Sequence, residues 1–194
     1  MPVEVVGVLL FKPTDRVVPN DFDLPFMQAL VQRLEGCGYD RVLVPQSTFW
    51  PDSMPIATWI TAVTKQLAVM VAHRPGFVAP TMAARMFATL DHVSGGRAGI
   101  HVITGGNDSE LACDGDFTTK ADRYRRSREY SQILKRMWAS DKPIDHEGEF
   151  YRFKNALSQL RPVNPTGLPM YWGGTSDDAL RFAAECADIY SLSM

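Results

Sequence analysis

The sequence predicts an α/β protein, a (β/α)8 (TIM) barrel that stops after about its sixth strand. Three observations predict it. Short β-branched runs alternate with segments of helical period along the chain. The first strand-to-helix junction lacks the glycine pattern of an open dinucleotide-binding sheet. Unusual polar residues collect where strands end, which is where barrel enzymes carry their chemistry.

The strand-like runs are residues 3–11, 41–44, 67–72, 98–103, 169–172 and 188–192. Met27, Leu30, Val31 and Leu34 fall at helical spacing between the first two runs, and Gly36 and Gly38 supply a stop. A second helix is expected over about 56–66. In the third, Met82, Met86, Phe87 and Leu90 form the apolar face, Pro80 stands at the entry and Ser94-Gly95-Gly96 at the exit. Tyr130, Ile133, Leu134, Met137 and Trp138 mark a fourth helix, and Leu180, Ala183, Ala184 and Ala187 a fifth with a small, close-packing face. Residues 140–165 form an excursion: a charged turn, a hairpin around His146-Glu147-Gly148-Glu149, a strand over 150–153 and a proline-rich connection.

Strands alternating with helices imply βαβ crossovers and a parallel sheet, either open and doubly wound or closed as a barrel. The first junction reads Phe11-Lys12-Pro13-Thr14-Asp15-Arg16, which disfavours the open sheet. A complete barrel takes about 250 residues. The 194 residues here hold five strand–helix units and a sixth strand, ending Ser191-Leu192-Ser193-Met194. The whole chain, 1–194, therefore reads as one barrel domain incomplete at its C-terminus, with an open parallel edge that should expose apolar surface.

Composition narrows the function classes. With 45% hydrophobic and 22% charged residues, the chain can bury a sizeable core. A net charge of −2 with interspersed signs gives no stripe for a nucleic-acid backbone. No run approaches the roughly 18 apolar residues of a membrane span, and the N-terminus lacks a secretory leader pattern, so a cytoplasmic protein is expected. Cys37, Cys113 and Cys186 are too scattered for a disulfide framework or CxxC site and are expected to be buried or partly buried free thiols. No G-x-S-x-G elbow, P-loop or H-E-x-x-H occurs, and His73, His92, His101 and His146 have no metal-ligand spacing. Isolated carboxylates such as Glu110, Glu147 and Glu149 assign no acid–base pair.

Four stretches carry possible chemistry. The third strand end leads into His73-Arg74-Pro75-Gly76-Phe77, where His73 could face a ligand and Arg74 bind an anion; the plainer reading is a hydrogen-bonded histidine and an ion-paired arginine. The fourth strand ends His101-Val102-Ile103-Thr104-Gly105. Inside a barrel His101 needs a partner, either a ligand or a neighbouring strand, and a twist at the strand end could bring Thr104 round. Trp172-Gly173-Gly174-Thr175-Ser176 runs from a strand into a helix whose unpaired first amides suit phosphate; alternatively, Ser176 only caps the helix and Asp177 and Asp178 complement its dipole. The run Lys120-Ala121-Asp122-Arg123-Tyr124-Arg125-Arg126 opens the fourth helix and reads either as a solvated charged face or as a lateral reach toward phosphate.

In order along the chain, Arg74 to Arg85, the run 88–97, His101 to Gly105, Asp114-Gly115-Asp116-Phe117 with Asp122-Arg123-Tyr124, and Gly173-Gly174-Thr175-Ser176 resemble the bacterial luciferase-like flavin-dependent oxidoreductases, especially their alkanesulfonate monooxygenase-like branch. The resemblance implies a (β/α)8 barrel holding reduced FMN at the C-terminal ends of its strands. It assigns Ala72, His101 and Thr104 to the isoalloxazine surroundings and Tyr124, Gly174, Thr175 and Ser176 to the phosphate. The implied reaction is two-component monooxygenation by O2, cleaving carbon from sulfur in an alkanesulfonate, with a separate flavin reductase as partner and a homo-oligomeric assembly. His73 and Arg74 are the weak catalytic candidates. The chain departs from that branch in reading Trp50-Pro51-Asp52-Ser53 where a cysteine is frequent, and Lys120 where a histidine is common. The branch's sulfonate-binding residues and lid lie in the later half of its barrel. A deazaflavin-dependent oxidoreductase, and an inactive barrel fragment or partner subunit, are the alternatives.

Overall fold

The computed structural model describes residues 3–15, 17 and 19–192; Arg16 of the first junction and the closing Ser193 and Met194 lie outside the described residues. Six strands, β1 (Val6–Val8), β2 (Arg41–Val44), β3 (Ala68–His73), β4 (Ala98–Val102), β7 (Met170–Gly173) and β8 (Ile189–Ser191), form one sheet in the order β1-β2-β3-β4-β7-β8. Every pairing in it is parallel. The helices α1 (Leu24–Gly36), α2 (Ser53–Val63), α3 (Pro80–Ser94), α5 (Lys120–Ala139) and α6 (Asp177–Cys186) follow β1 to β4 and β7 in turn, and α4 (Asp108–Cys113) is a single short turn before α5. The hairpin β5 (Ile144–Glu147) and β6 (Arg152–Ala156) is antiparallel and separate from the main sheet. Among the described residues, no helix is long and apolar enough to cross a membrane.

The sheet curls. Tyr171 in β7 donates a 2.7 Å hydrogen bond to Glu4, just before β1, and the Arg41 guanidinium of β2 lies 5.2 Å from the Tyr171 ring centroid while bonding Glu4 at 3.0 Å. Those side chains stand on the concave face with Gly99, His101 and Gly173. The alternate residues Val42, Val44, Val69, Val71, Ile100, Val102, Met170 and Trp172 face the helices and form the core with Met27, Val31, Ile60, Phe87, Ile133, Leu134 and Phe182. The N-terminal ends of the strands are fixed by two charged hubs. Glu35 accepts the amides of Lys65, Gln66 and Leu67, and Arg97 donates to the carbonyls of Thr61, Leu67 and Ser94.

Several boundaries and faces differ from expectation. β1 covers three residues rather than nine, because the chain turns away at Phe11, whose carbonyl takes the amide of Asp23. α2 starts at Ser53, where the Asp52 carboxylate caps the Met54 amide. In α3, Met82 is exposed and the buried stripe runs through Ala83, Ala84, Phe87, Ala88, Leu90 and Asp91. α6 buries Ala179, Phe182 and Cys186 rather than an alanine stripe, with the Phe182 ring 3.9 Å from that of Trp172, while Leu180 is exposed. Cys37 and Cys113 are exposed, against the expectation of burial, and Cys186 is buried. The expected strand over 150–153 lies at Arg152–Ala156. Val8 in β1, Leu10 just after it and Leu192 beside β8 are exposed.

His73 ends β3 on the helix-facing side. Its Nε2 shares a 2.7 Å hydrogen bond with the Tyr130 hydroxyl, and its ring meets Phe87 edge-on. Burial lowers its pKa to about 4 and raises that of Tyr130, so both are neutral at pH 7. The unfolded state therefore binds a proton near pH 6.5 that the native state refuses until about pH 4, and stability falls as pH drops through that window. His73→Gln, which keeps a partner for Tyr130, should flatten this loss in urea denaturation series; an unaltered pH slope would refute the assignment.

Candidate functional site

The C-terminal ends of the parallel strands carry three loops whose positions are set by one carboxylate. Glu110 in α4 accepts, on a single oxygen, hydrogen bonds from the Ser47 hydroxyl (3.0 Å), the Thr48 amide (3.0 Å) and the Arg74 guanidinium (3.1 Å). The Thr48 amide and the Arg74 guanidinium hold its pKa below the usual carboxylate range. Arg74 is buried, also faces Asp114 at 3.9 Å, and lies over the Phe77 ring at 5.5 Å. The Asn107 side chain caps α4, accepting from the amides of Ser109 and Glu110. Glu110 was the residue that sequence reasoning passed over: a lone carboxylate has no motif, and its partners lie 36 to 63 positions away.

Of the two catalytic candidates, neither meets the concave face. His73 packs in the helix layer and Arg74 is committed to carboxylates, so both take their plainer readings. The cationic start of α5 is not a solvated face either. Arg123 is buried and binds Asp108 and the Thr118 carbonyl, while Arg126 is buried against Asp116, whose carboxyl it helps hold down at a pKa of about 2 despite burial. Arg125 pairs with Asp122 and Glu149, and Lys120 is exposed.

The remaining candidates fall into two groups. Ala72 and His101 are register partners on β3 and β4, on the concave side, and the Ser53 hydroxyl donates to the Ala72 carbonyl at 3.1 Å. Thr104 lies beyond the end of β4 and is half-buried. Burial lowers the His101 pKa to about 4, so its ring is neutral, and its Nδ1 is buried without a hydrogen-bond partner among the described residues. A Cβ on Gly173 would stand 3.6 Å from the His101 ring, an ordinary van der Waals contact.

The second group gathers at the start of α6. Tyr124 comes from the first turns of α5, stands against Trp172 and Phe182, and places its hydroxyl 3.5 Å from the Ser176 Oγ. Ser176 caps α6 by accepting the Ala179 amide, which leaves its own proton free to donate. Gly174, Thr175 and Ser176 are exposed, and Gly174 has φ +114°, a conformation that L side chains rarely adopt. Its carbonyl takes the Tyr190 hydroxyl. Asp177 and Asp178 in the first turn complement the helix dipole.

A hollow of about 420 Å3 opens between the β3–α3 and α4–α5 loops, lined by Gly76, Phe77, Asp114, Asp116, Phe117 and Arg126 among others. Gly76 has φ +114°, and a Cβ there would stand 2.5 Å from the Arg126 guanidinium carbon. Gly76→Ala should therefore destabilise the protein by about 2 kcal/mol, through backbone strain and displacement of the Arg126–Asp116 pair. An unchanged urea midpoint would contradict that.

The fold is shared with solved structures of oxygenases and a related dehydrogenase. EDTA monooxygenase from Chelativorans sp. BNC1 superposes with a TM-score of 0.81 at 23% identity, covering 96% of this chain and 55% of its own. The oxygenating constituent of 3,6-diketocamphane monooxygenase from Pseudomonas putida, in complex with FMN, matches with 0.77 at 17% identity, covering 94% and 55%. An F420-dependent secondary alcohol dehydrogenase, in complex with an F420-acetone adduct, matches with 0.78 at 19% identity, covering 98% and 58%. The chain thus spans little more than half the length of these proteins, and its curled six-stranded sheet corresponds to a half-barrel of their fold. Residues 3–194 match the family model for luciferase-like monooxygenases, and the chain belongs to that family.

Proposed function

We propose that this protein is the oxygenase of a two-component system, taking reduced FMN from a separate flavin reductase and using O2 to oxygenate a small organic molecule. A cytoplasmic location and a homo-oligomeric state are part of the same reading. Alkanesulfonates, suggested by the sequence resemblance, are the first substrates to try. The observation that carries the proposal is the pairing of two complementary half-sites at the same end of the sheet. One is a neutral histidine on the concave face whose buried Nδ1 has no hydrogen-bond partner among the described residues; the other is a strand-to-helix turn with hydroxyl donors.

In this reading Ala72, His101 and Thr104 surround the isoalloxazine. Ala72 is small enough to let the ring approach the sheet, and the buried Nδ1 of His101 offers the hydrogen bond that it otherwise lacks. Tyr124, Gly174, Thr175 and Ser176 hold the phosphate: the first amides of α6 have no intrahelical acceptor, Gly174 permits close backbone approach, and the three hydroxyls donate. When bound, reduced FMN supplies the electrons that activate O2; the chain's own groups position it and exclude water. His101 stays neutral across the physiological range and does not compete for charge with the ring.

Anaerobic titration with reduced FMN should quench the protein's tryptophan fluorescence, since Trp172 stands against Tyr124 of the proposed site. Ser176→Ala and Tyr124→Phe should each weaken FMN binding by about tenfold while leaving riboflavin, which lacks the phosphate, nearly unaffected. Equal losses for both flavins would remove the phosphate assignment, and absence of quenching would remove the cofactor. A second reading, hydride transfer with a deazaflavin, is favoured by the likeness to the F420-dependent dehydrogenase. Parallel titration with that cofactor chooses between them.

A further inference from the structure

Tyr190 in β8 makes a hydrogen bond that the sheet itself does not require. In register it stands beside Trp172, on the helix-facing side, and its ring packs against the core. Its hydroxyl reaches past the end of β7 and donates to the Gly174 carbonyl, in the turn that leads into α6. The ring is fixed by packing, and only the polar tip touches the turn.

That bond orients a whole peptide. No cis peptide bond occurs among the described residues, so the Gly174 carbonyl and the Thr175 N–H lie in one plane and point in opposite directions. With the carbonyl drawn toward β8, the Thr175 amide is turned away from β8. In the sheet β7 lies between β4 and β8, and α5, which follows β4, brings Tyr124 to this turn, its hydroxyl 3.5 Å from the Ser176 Oγ. The amides of Thr175 and Ser176 have no acceptor among the described residues. Trp172, 2% exposed and in ring contact with Tyr124, holds a buried Nε1–H that lacks an acceptor as well. Donors without acceptors thus concentrate around this turn, as an anion requires.

Gly174 is the reason an orienting bond matters. Its φ of +114° lies where L side chains are strained, and a Cβ there would also stand 3.1 Å from that of Ala179. The freedom that glycine brings lets the 174–175 peptide rotate at small cost, and a rotated peptide would present its carbonyl to a phosphate in place of its amide. We propose that Tyr190 is a positioning residue for the flavin phosphate: by holding the Gly174 carbonyl on the β8 side, it keeps the Thr175 N–H turned toward the anion. This rests on the phosphate assignment made above and concerns a residue that touches no part of the cofactor.

Tyr190→Phe removes the hydroxyl and leaves the ring in the core, so its unfolding temperature should stay within about 3 °C of the wild type. Anaerobic titrations read by tryptophan fluorescence should show affinity for reduced FMN lowered about fivefold in this variant, with reduced riboflavin, which has no phosphate, unchanged. A second measurement needs no flavin. In isotopically labelled protein, inorganic phosphate alone should shift the Thr175 amide resonance of the wild type and move it far less in Tyr190→Phe. The Gly174 carbonyl resonance should differ between the two proteins before any ligand is added. An unchanged FMN affinity in Tyr190→Phe beside a loss in Ser176→Ala would overturn the positioning role and keep the phosphate site. Equal losses for FMN and riboflavin would also overturn it, since they would make the hydroxyl a general support of the fold. So would a Thr175 amide that inorganic phosphate shifts equally in both proteins, or in neither. A wild type with no preference for FMN over riboflavin, matched by Ser176→Ala, would remove the phosphate site and the role of Tyr190 together.

Discussion

The hydrogen bond from Tyr171 to Glu4 sets the shape on which the candidate site depends. In the sheet order, β7 stands four strands from β1, a separation of roughly 19 Å in a flat sheet. Side chains can meet across that distance only if the sheet rolls up. The roll is permitted by small residues on the inner face: a Cβ at Gly99 would stand 2.9 Å from the Tyr171 ring. Burial and the neighbouring Glu4 carboxylate both raise the Tyr171 pKa, which keeps its proton available for the bond. Once the sheet is rolled, the C-terminal ends of β3, β4 and β7 face a common space, and His101 has somewhere to point.

The two ends of this rolled sheet are secured by different chemistry. At the N-terminal end, Glu35 and Arg97 bond mainly to backbone groups of neighbouring loops, satisfying amides and carbonyls that burial would otherwise leave unpaired. At the C-terminal end, carboxylates meet guanidiniums: Glu110 with Arg74, Asp108 with Arg123, Asp116 with Arg126. A pair buried on both sides, as Asp116 with Arg126 is, contributes little net stability over an apolar replacement, but removing one partner is costly. Their effect is geometric. They hold loops in one arrangement at the end of the molecule where loops would otherwise be loosest.

What was legible in the sequence follows from this division. The strand–helix alternation and the parallel sheet were visible because periodicity is a local property: Val42 and Val44, or Ile133, Leu134 and Met137, declare their faces within one element. The start of α6 was legible because a glycine pair followed by a serine cap is a local device, and the Tyr124 hydroxyl lies 3.5 Å from the Ser176 Oγ. His73 carried two readings in the sequence because strand alternation gives two faces without saying which one is the core; its helix-facing register, opposite Val102, and its bond to Tyr130 match the plainer one. The Arg-rich start of α5 looked solvated because its carboxylate partners come from other segments, such as Asp108 fifteen positions earlier. The small face expected of α6 failed because Phe182 answers to Trp172, a residue of the adjacent strand.

The division also separates two kinds of surface within one chain. The candidate cofactor groups sit at or just beyond the ends of β3 and β4, in the first turns of α5 and in the short turn that leads from β7 into α6. The exposed side chains of Phe49 and Trp50 sit on a loop whose placement depends on Glu110. The two are held by separate interactions: among the described residues, no hydrogen bond joins Ser47, Thr48, Phe49 or Trp50 to the groups proposed to hold FMN. The solved relatives share this fold at under 25% identity while their names record EDTA, a diketocamphane and a secondary alcohol. A fold that leaves its loops free to vary on a fixed frame of strands and helices is physically suited to such divergence.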